Sequence, residues 1–96
     1  MTAYIIVDTD VYDPEQYEEY KKASPGAIAA AGGRFLVRGG PVCALEGDWR
    51  PKRLVMLEFD SLDAARRFYT SPAYEQVKRL RQGAADLKMV AVEGTA

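Results

Sequence analysis

The sequence contains no histidine and only one cysteine, Cys43, among its 96 residues. An intrachain disulfide, a cysteine–histidine catalytic pair and a histidine-based metal site are therefore excluded. Haem is not expected either, because its usual proximal ligand is histidine. We predict that the protein uses no cofactor. Cys43 lies in an apolar stretch without a neighbouring base, so we interpret it as a small buried apolar residue.

Long apolar segments and a strong charge of either sign are also absent. No apolar run approaches the roughly 20 residues of a membrane-spanning helix, and residues 1–10 lack the pattern of a signal peptide. The formal net charge of −1 argues against a nucleic-acid partner. We interpret the basic clusters at 50–53 and 78–81 as solvated surface charge. The expectation is a cytoplasmic protein that binds neither membranes nor nucleic acids.

The length of the chain, 96 residues, corresponds to a single domain, residues 1–96. A chain this short buries a smaller fraction of its surface than a longer chain does. We therefore expect oligomerisation to be an additional source of stability.

Alternation of apolar and polar residues predicts four strands. Glycines and a proline at 39–41 predict a bend after the second strand, and Val42–Leu45 is predicted to continue that strand. The four predicted strands are Ala3–Val11, Arg34–Arg38, Arg53–Phe59 and Leu87–Val92.

Two helical stretches separate the first strand from the second and the third from the fourth. Asp13 is suited to cap the first helix, and Gly32-Gly33 is suited to end it. Ser24-Pro25 predicts a kink or a restart within this helix, because proline removes an amide donor. The second helix begins after residues 60–61, and Ser71-Pro72 predicts that it breaks and restarts there.

The resulting β-α-β-β-α-β order favours an α+β fold of the ferredoxin-like type. In that fold a four-stranded antiparallel sheet has its first and third strands in the centre and both helices on one face. Strand alternation then predicts that seven apolar side chains pack under the helices: Ile5, Val7, Phe35, Val37, Val55, Leu57 and Phe59.

The opposite face of the sheet is predicted to be too apolar for a solvated surface. A two-fold homodimer that stacks two such faces would cover it, and a cavity left between the sheets would suit a small-molecule ligand. The residues predicted on this face are Tyr4, Ile6, Asp8, Arg34, Leu36, Arg38, Leu54, Met56 and Glu58.

Several short motifs spread over nearly the whole chain resemble one bacterial family, the domain-of-unknown-function family 1330. The resemblance implies the dimeric α+β barrel superfamily, whose members include cofactor-free monooxygenases, haem-degrading enzymes, muconolactone isomerases and stress-response proteins. This range means that the resemblance predicts a fold and no reaction. The motifs are Asp13-Pro14 with Tyr17 and Tyr20, Gly32-Gly33-Arg34-Phe35, Arg38-Gly39-Gly40, Glu46-Gly47-Asp48-Trp49, Pro51-Lys52-Arg53, Glu58-Phe59, Ala64-Ala65, Tyr69, Ser71-Pro72, Tyr74 and Val92-Glu93-Gly94.

Charged residues on the second face of the sheet suggest a site. Arg34 and Arg38 would lie about 13 Å apart along one strand. One arginine can hold a carboxylate or enolate oxygen of a ligand while Glu58 or Asp8 acts as a base. The alternative is a structural network of ion pairs at a dimer interface, where buried charges must be paired.

Three aromatic residues are further candidates for ligand contacts. Trp49, in the turn before the third strand, can cover the mouth of the pocket or clasp the partner. Tyr69 adjoins the predicted helix break, where free amides can bind an anion, and Tyr4 can donate its hydroxyl. Packing is the competing role of both Trp49 and Tyr69. Two hypotheses follow. The first is a protein that binds or converts a small carboxylated or carbonyl metabolite in a pocket between the subunits. The second is a non-catalytic ligand-binding or stress-associated dimer whose polar residues are structural.

Overall fold

The computed structural model describes all 96 residues as one four-stranded antiparallel sheet with three helices on one face. The sheet order is β2-β3-β1-β4, so the first and third strands are central, as predicted. None of the helices combines the length and apolar character needed to cross a membrane. The elements are β1 Ala3–Val11, α1 Pro14–Ala30, β2 Arg34–Arg38, β3 Arg53–Phe59, α2 Leu62–Thr70, α3 Pro72–Arg79 and β4 Ala85–Glu93.

The core lies between the sheet and the helices because the two central strands alternate strictly. Odd-numbered residues of β1 up to Thr9 are buried, and Ile5 pairs with Leu57 across the β1–β3 register. Phe68 from α2 and Tyr74 from α3 pack onto the same cluster. Burial of each large apolar side chain contributes roughly 1.5–3 kcal/mol before chain entropy is counted.

The helix boundaries follow the predicted capping residues. The Asp13 carboxylate accepts a hydrogen bond from the Gln16 amide at the start of α1. Ser71 accepts a hydrogen bond from the Tyr74 amide at the start of α3 and donates one to the Phe68 carbonyl at the end of α2. Because this one serine serves both helices, the predicted break at Ser71-Pro72 is confirmed.

The predicted restart at Ser24-Pro25 is wrong, because α1 continues through Pro25 to Ala30. A proline at position 25 cannot donate to the carbonyl of Lys21, four residues earlier. The Arg38 guanidinium donates to that carbonyl instead, at 2.7 Å. A side chain from β2 thus supplies the hydrogen bond that the proline removes from the helix.

A β-bulge in β2 overturns part of the predicted face assignment. Phe35 pairs with Leu57, but Val37 pairs with Met56, so Leu36 is an extra residue in the ladder. Beyond such a bulge every side chain changes face. Val37 therefore leaves the predicted core, and Arg38 moves to the helix side of the sheet.

The segment between β2 and β3 contains no strand, so the predicted extension over Val42–Leu45 is wrong. Cys43 is exposed in this segment and not buried as predicted. Leu45 is 93% exposed, and Trp49 is also largely exposed. No backbone hydrogen bond joins the segment from 40 to 52 to a neighbouring strand, which explains why it does not extend the ladder.

Candidate functional site

The open face of the sheet, meaning the face without helices, carries the first group of predicted site residues. The indole Nε1 of Trp49 donates to Oδ2 of Asp8 at 2.8 Å, which fixes the loop before β3 against β1. Nearby, Nζ of Lys52 lies 3.2 Å from Oδ1 of Asp10. Both carboxylates therefore already have partners within the chain.

The second group on the open face surrounds Glu58. Its side chain is only 15% exposed and forms an ion pair with Arg34 across the β2–β3 ladder. Tyr4 lies directly opposite Glu58 on β1. The largely buried Glu58 carboxylate therefore has a cation beside it, as a buried charge requires.

Asp8 and Glu58 do not form one site. Glu58 is paired with Tyr4, and Asp8 is paired with Leu54. Four residues of strand correspond to about 13 Å. Asp8 and Glu58, the two residues predicted as alternative bases, therefore lie at opposite ends of the open face.

Arg38 and Tyr69 lie on the other side of the sheet, away from the rest of the predicted site. Arg38 packs over the Phe35 ring, with its Cζ 4.5 Å from the ring centroid. Tyr69 lies on α2 with its ring 3.8 Å from Nζ of Lys78. The prediction that Arg34 and Arg38 share a face is wrong, because the bulge reverses the side-chain alternation between them.

The structure has a cavity of about 30 Å³ between the sheet and α1, lined mainly by apolar side chains. That volume is large enough for one water molecule. Val7, Val55 and Leu57 from the sheet and Phe68 from α2 contribute to its wall. This helix-side cavity therefore lies against the core, on the side of the sheet opposite the open face.

Polar atoms without partners face this helix-side cavity. Thr9 lies on the buried face of β1, and its Oγ1 makes no hydrogen bond of normal geometry, although the Tyr17 hydroxyl is close enough to interact with it. Nε of Arg53, on the neighbouring strand, is buried and has no partner either. Ser24 of α1 is another buried polar residue in the lining. Buried polar groups without partners are uncommon and mark places where a ligand or water can bind.

Three cations lie at the same cavity: Arg38, Arg53 and Lys21. Neither arginine makes an ion pair, whereas Lys21 is paired with Glu18 at 3.0 Å. Gly39 has a φ of +74°, and a Cβ there would lie 2.4 Å from an Arg53 guanidinium nitrogen. Glycine at this position therefore provides the space in which the Arg53 guanidinium lies.

Tyrosines complete the polar part of the helix-side cavity. The hydroxyls of Tyr20 and Tyr74 are 2.6 Å apart and buried. Burial raises the pKa of Tyr20 well above its usual value, and the adjoining Tyr74 raises it further. Burial also raises the pKa of Tyr17. The raised pKa values keep the Tyr17 and Tyr20 hydroxyls protonated at neutral pH. One hydroxyl of the Tyr20–Tyr74 pair donates to the other, which leaves one proton of the pair for a ligand oxygen.

Sequence reasoning missed most of this helix-side cavity, although two signals were present. Thr9 and Arg53 lie at the ends of strand faces whose neighbouring residues, Val7 and Val55, were assigned to the core. Ser24 likewise interrupts the apolar stripe of α1. No group of three potential metal-ligating side chains forms a metal site.

Solved structures with the same fold include three that span almost this whole chain. A protein of unknown function from Rhodopseudomonas palustris, RPA0582, has 19% identity and a TM-score of 0.75 over 99% of this chain and 83% of its own. A dimeric ferredoxin-like protein of unknown function from Thermobifida fusca has 19% identity and a TM-score of 0.67 over 98% and 92%. The cofactor-independent oxygenase SnoaB from Streptomyces nogalater has 12% identity and a TM-score of 0.66 over 99% and 94%. These likenesses establish the ferredoxin-like fold.

Sequence comparison places the chain in a family whose function is not known. No curated protein sequence matches it. The family model described as "Domain of unknown function (DUF1330)" matches residues 2–95, which confirms the resemblance drawn from the motifs. The chain belongs to the DUF1330 family.

Proposed function

We propose that the protein binds a small carboxylated or carbonyl metabolite whose oxygen atoms lie at the polar end of the helix-side cavity. The observation that carries this proposal is the presence of two guanidinium groups, Arg38 and Arg53, that have no carboxylate partner and lie beside a cavity with apolar and tyrosine walls. Guanidinium groups bind carboxylates with charge-assisted hydrogen bonds, often in pairs. Apolar walls with a few convergent polar groups are typical of small-molecule sites.

Each polar group of the helix-side cavity has a role in this proposal. The two arginines hold the carboxylate or enolate oxygens, and the unpaired Nε of Arg53 supplies one donor. The Thr9 hydroxyl and the protonated Tyr20 hydroxyl bind a carbonyl oxygen deeper inside. Asp8 and Glu58 lie on the opposite face, so the proposal assigns them no part as bases at this site.

The open face supports a second proposal, a homodimer formed by stacking two sheets. Its apolar side chains include Val90 and Val92, which are 60% and 46% exposed in the single chain. The structural neighbour from Thermobifida fusca is described as dimeric. In this dimer the Arg34–Glu58 and Trp49–Asp8 contacts are structural, and a ligand pocket between the sheets, with Tyr4 beside Glu58, is the alternative site.

The same proposal places the homodimer in the cytoplasm, without a nucleic-acid or membrane partner. The free thiol of Cys43 fits a reducing compartment. The net charge of −1 offers little attraction for a polyanion.

Binding measurements on two arginine variants distinguish the two sites. Calorimetric titration of the wild-type protein with acetate, butyrate and pyruvate tests the class of ligand. We expect Arg38→Gln to weaken binding about tenfold or more, since a charge-assisted contact contributes about 1.5–3 kcal/mol. Arg34→Gln removes the same charge from the same strand but from the open face, and we expect it to leave the affinity unchanged.

The opposite result, with affinity lost in Arg34→Gln and kept in Arg38→Gln, would move the site to the pocket between the sheets. Arg67→Gln serves as a control, since Arg67 is an exposed α2 residue paired with Asp63. If none of the three acids binds the wild-type protein, the proposed function is wrong.

A further inference from the structure

A second and larger cavity adjoins the helix-side cavity along β4. This β4 groove is about 510 Å³ and opens between α2 and β4. Its lining is mostly apolar and includes Ile5, Ala65 and Ala91, with Arg66 and Thr70 at the α2 rim. A volume of this size is within the range of pockets that hold drug-sized ligands.

The β4 groove and the helix-side cavity share two wall residues, Leu87 and Met89. Both side chains are only partly buried and pack against the edge of the core. Methionine is unbranched and has three rotatable side-chain bonds, so it changes rotamer at little cost. A change of rotamer at Met89 therefore offers a route by which the two spaces become one.

The sizes of the two spaces make such a route necessary. The helix-side cavity has room for about one water molecule, which is too little for the body of a metabolite. The polar atoms without partners, and the two arginines without a carboxylate partner, nevertheless line the helix-side cavity. A ligand whose acidic group binds Arg38 and Arg53 needs room for the rest of its structure, and the nearest apolar volume is the β4 groove.

We infer that the ligand is an amphipathic carboxylic acid whose apolar tail passes Met89 and Leu87 into the β4 groove. This inference rests on the proposed function, because it takes the carboxylate to be held by Arg38 and Arg53. Met89 then determines specificity, since it sets the length of tail that the site accepts. The floor of the groove, formed by Ile5, Ala65 and Ala91, supplies apolar contact for the tail.

A series of unbranched alkanoates, from acetate through butyrate and hexanoate to octanoate, tests this arrangement by calorimetric titration. We expect the wild-type affinity to rise about fourfold for each methylene that enters the groove, the ratio that corresponds to ≈ 0.8 kcal/mol per buried methylene. Met89→Trp blocks the passage, so octanoate should bind that variant no more tightly than butyrate does. Met89→Ala opens the passage and should tighten octanoate relative to butyrate.

Met56→Trp is the matched control, because Met56 is a methionine of the same sheet that lies on the open face. It should leave the dependence on chain length unchanged. If Met56→Trp weakens octanoate binding while Met89→Trp does not, the tail lies between the sheets and the inference is wrong. Should Met89→Trp fail to fold in thermal unfolding, Met89→Ala decides alone, and an unchanged ratio of octanoate to butyrate affinity overturns the inference.

The failure of this inference can be told apart from failure of the proposed function. If butyrate binding depends on Arg38 but the affinity does not rise from butyrate to octanoate, the proposed function stands and the tail does not lie in the groove. Absence of binding by every alkanoate overturns the inference, and absence of pyruvate binding as well overturns the proposed function.

Discussion

Gly33 shows how a single residue fixes the approach of α1 to the sheet. A Cβ at this position would lie 2.6 Å from the ring of Phe59 and 3.1 Å from a methyl group of Ile28. Phe59 is 1% exposed, so its ring has no room to move away. The amide of Gly33 also donates to the Ile28 carbonyl, at 2.9 Å, which ends the helix at this place.

We predict that Gly33→Ala lowers the free energy of unfolding by about 1–3 kcal/mol, the usual cost of overpacking. Gly26→Ala is the matched control, because Gly26 lies within α1 and a Cβ there meets nothing within 4 Å. It should raise the free energy of unfolding by about 0.5–1 kcal/mol, through better helix propensity. Urea unfolding followed by circular dichroism measures both, and equal effects of the two substitutions would contradict this account.

At the scale of elements, a hydrogen bond between β2 and α1 replaces one that is missing within α1. Pro25 leaves the Lys21 carbonyl without its helical donor, and Arg38 supplies a donor from the neighbouring strand. The proline that the sequence suggested as a break is therefore accommodated by a contact between elements. This contact also holds the Arg38 guanidinium at the helix-side cavity.

A double-mutant cycle tests this replacement. Pro25→Ala restores an amide at residue 25, which can donate to Lys21, so we expect Arg38→Ala to cost about 1 kcal/mol less in that background than in the wild type. Arg34→Ala is the control, because Arg34 pairs with Glu58 on the open face and should cost the same in both backgrounds. Urea unfolding of the six proteins gives the coupling energy, and a value near zero for Arg38 would exclude the proposed exchange of donors.

Periodicity predicted the elements of this fold well and predicted the site poorly, for a physical reason that β2 illustrates. The bounds of β1, β2 and β3 agree with those read from apolar alternation, because alternation is set by burial on one face. The bulge at Leu36 adds one residue without changing composition, so nothing in the local pattern reveals that Arg38 has changed face. Thr9 and Arg53 were visible as polar residues on apolar faces, but only the folded arrangement brings them together.

Considered as a whole molecule, the chain has one face covered by helices and one that is not. Ile6 lies near the middle of the open face, paired with Met56 on one side and Val90 on the other. An apolar surface of this kind usually marks an interface. The proposed homodimer places Ile6 of each copy in the buried centre of the contact.

We predict that Ile6→Lys converts the dimer to a monomer at micromolar concentration, as measured by analytical ultracentrifugation. An unpaired charge in a buried interface costs about 3 kcal/mol, which corresponds to roughly a hundredfold in the dissociation constant. Leu80→Lys is the control, since Leu80 is 38% exposed and lies beyond α3 on the helix side. A dimer that persists in Ile6→Lys, or a wild-type protein that is a monomer, would place the interface elsewhere or remove it.

The bulge at Leu36 also bears on how such a protein can change during evolution. The face on which the Arg38 side chain lies is set by its partner in β3, Val55, and not by its distance from Arg34 along β2. Deletion of Leu36 would remove the bulge and leave a regular ladder in which Arg38 still lies opposite Val55 on the helix side, whereas regular pairing of the full-length strand would turn the guanidinium to the open face. Among relatives, the β3 residue that this arginine faces should therefore be a better guide to inherited binding than the spacing between the two arginines in the sequence.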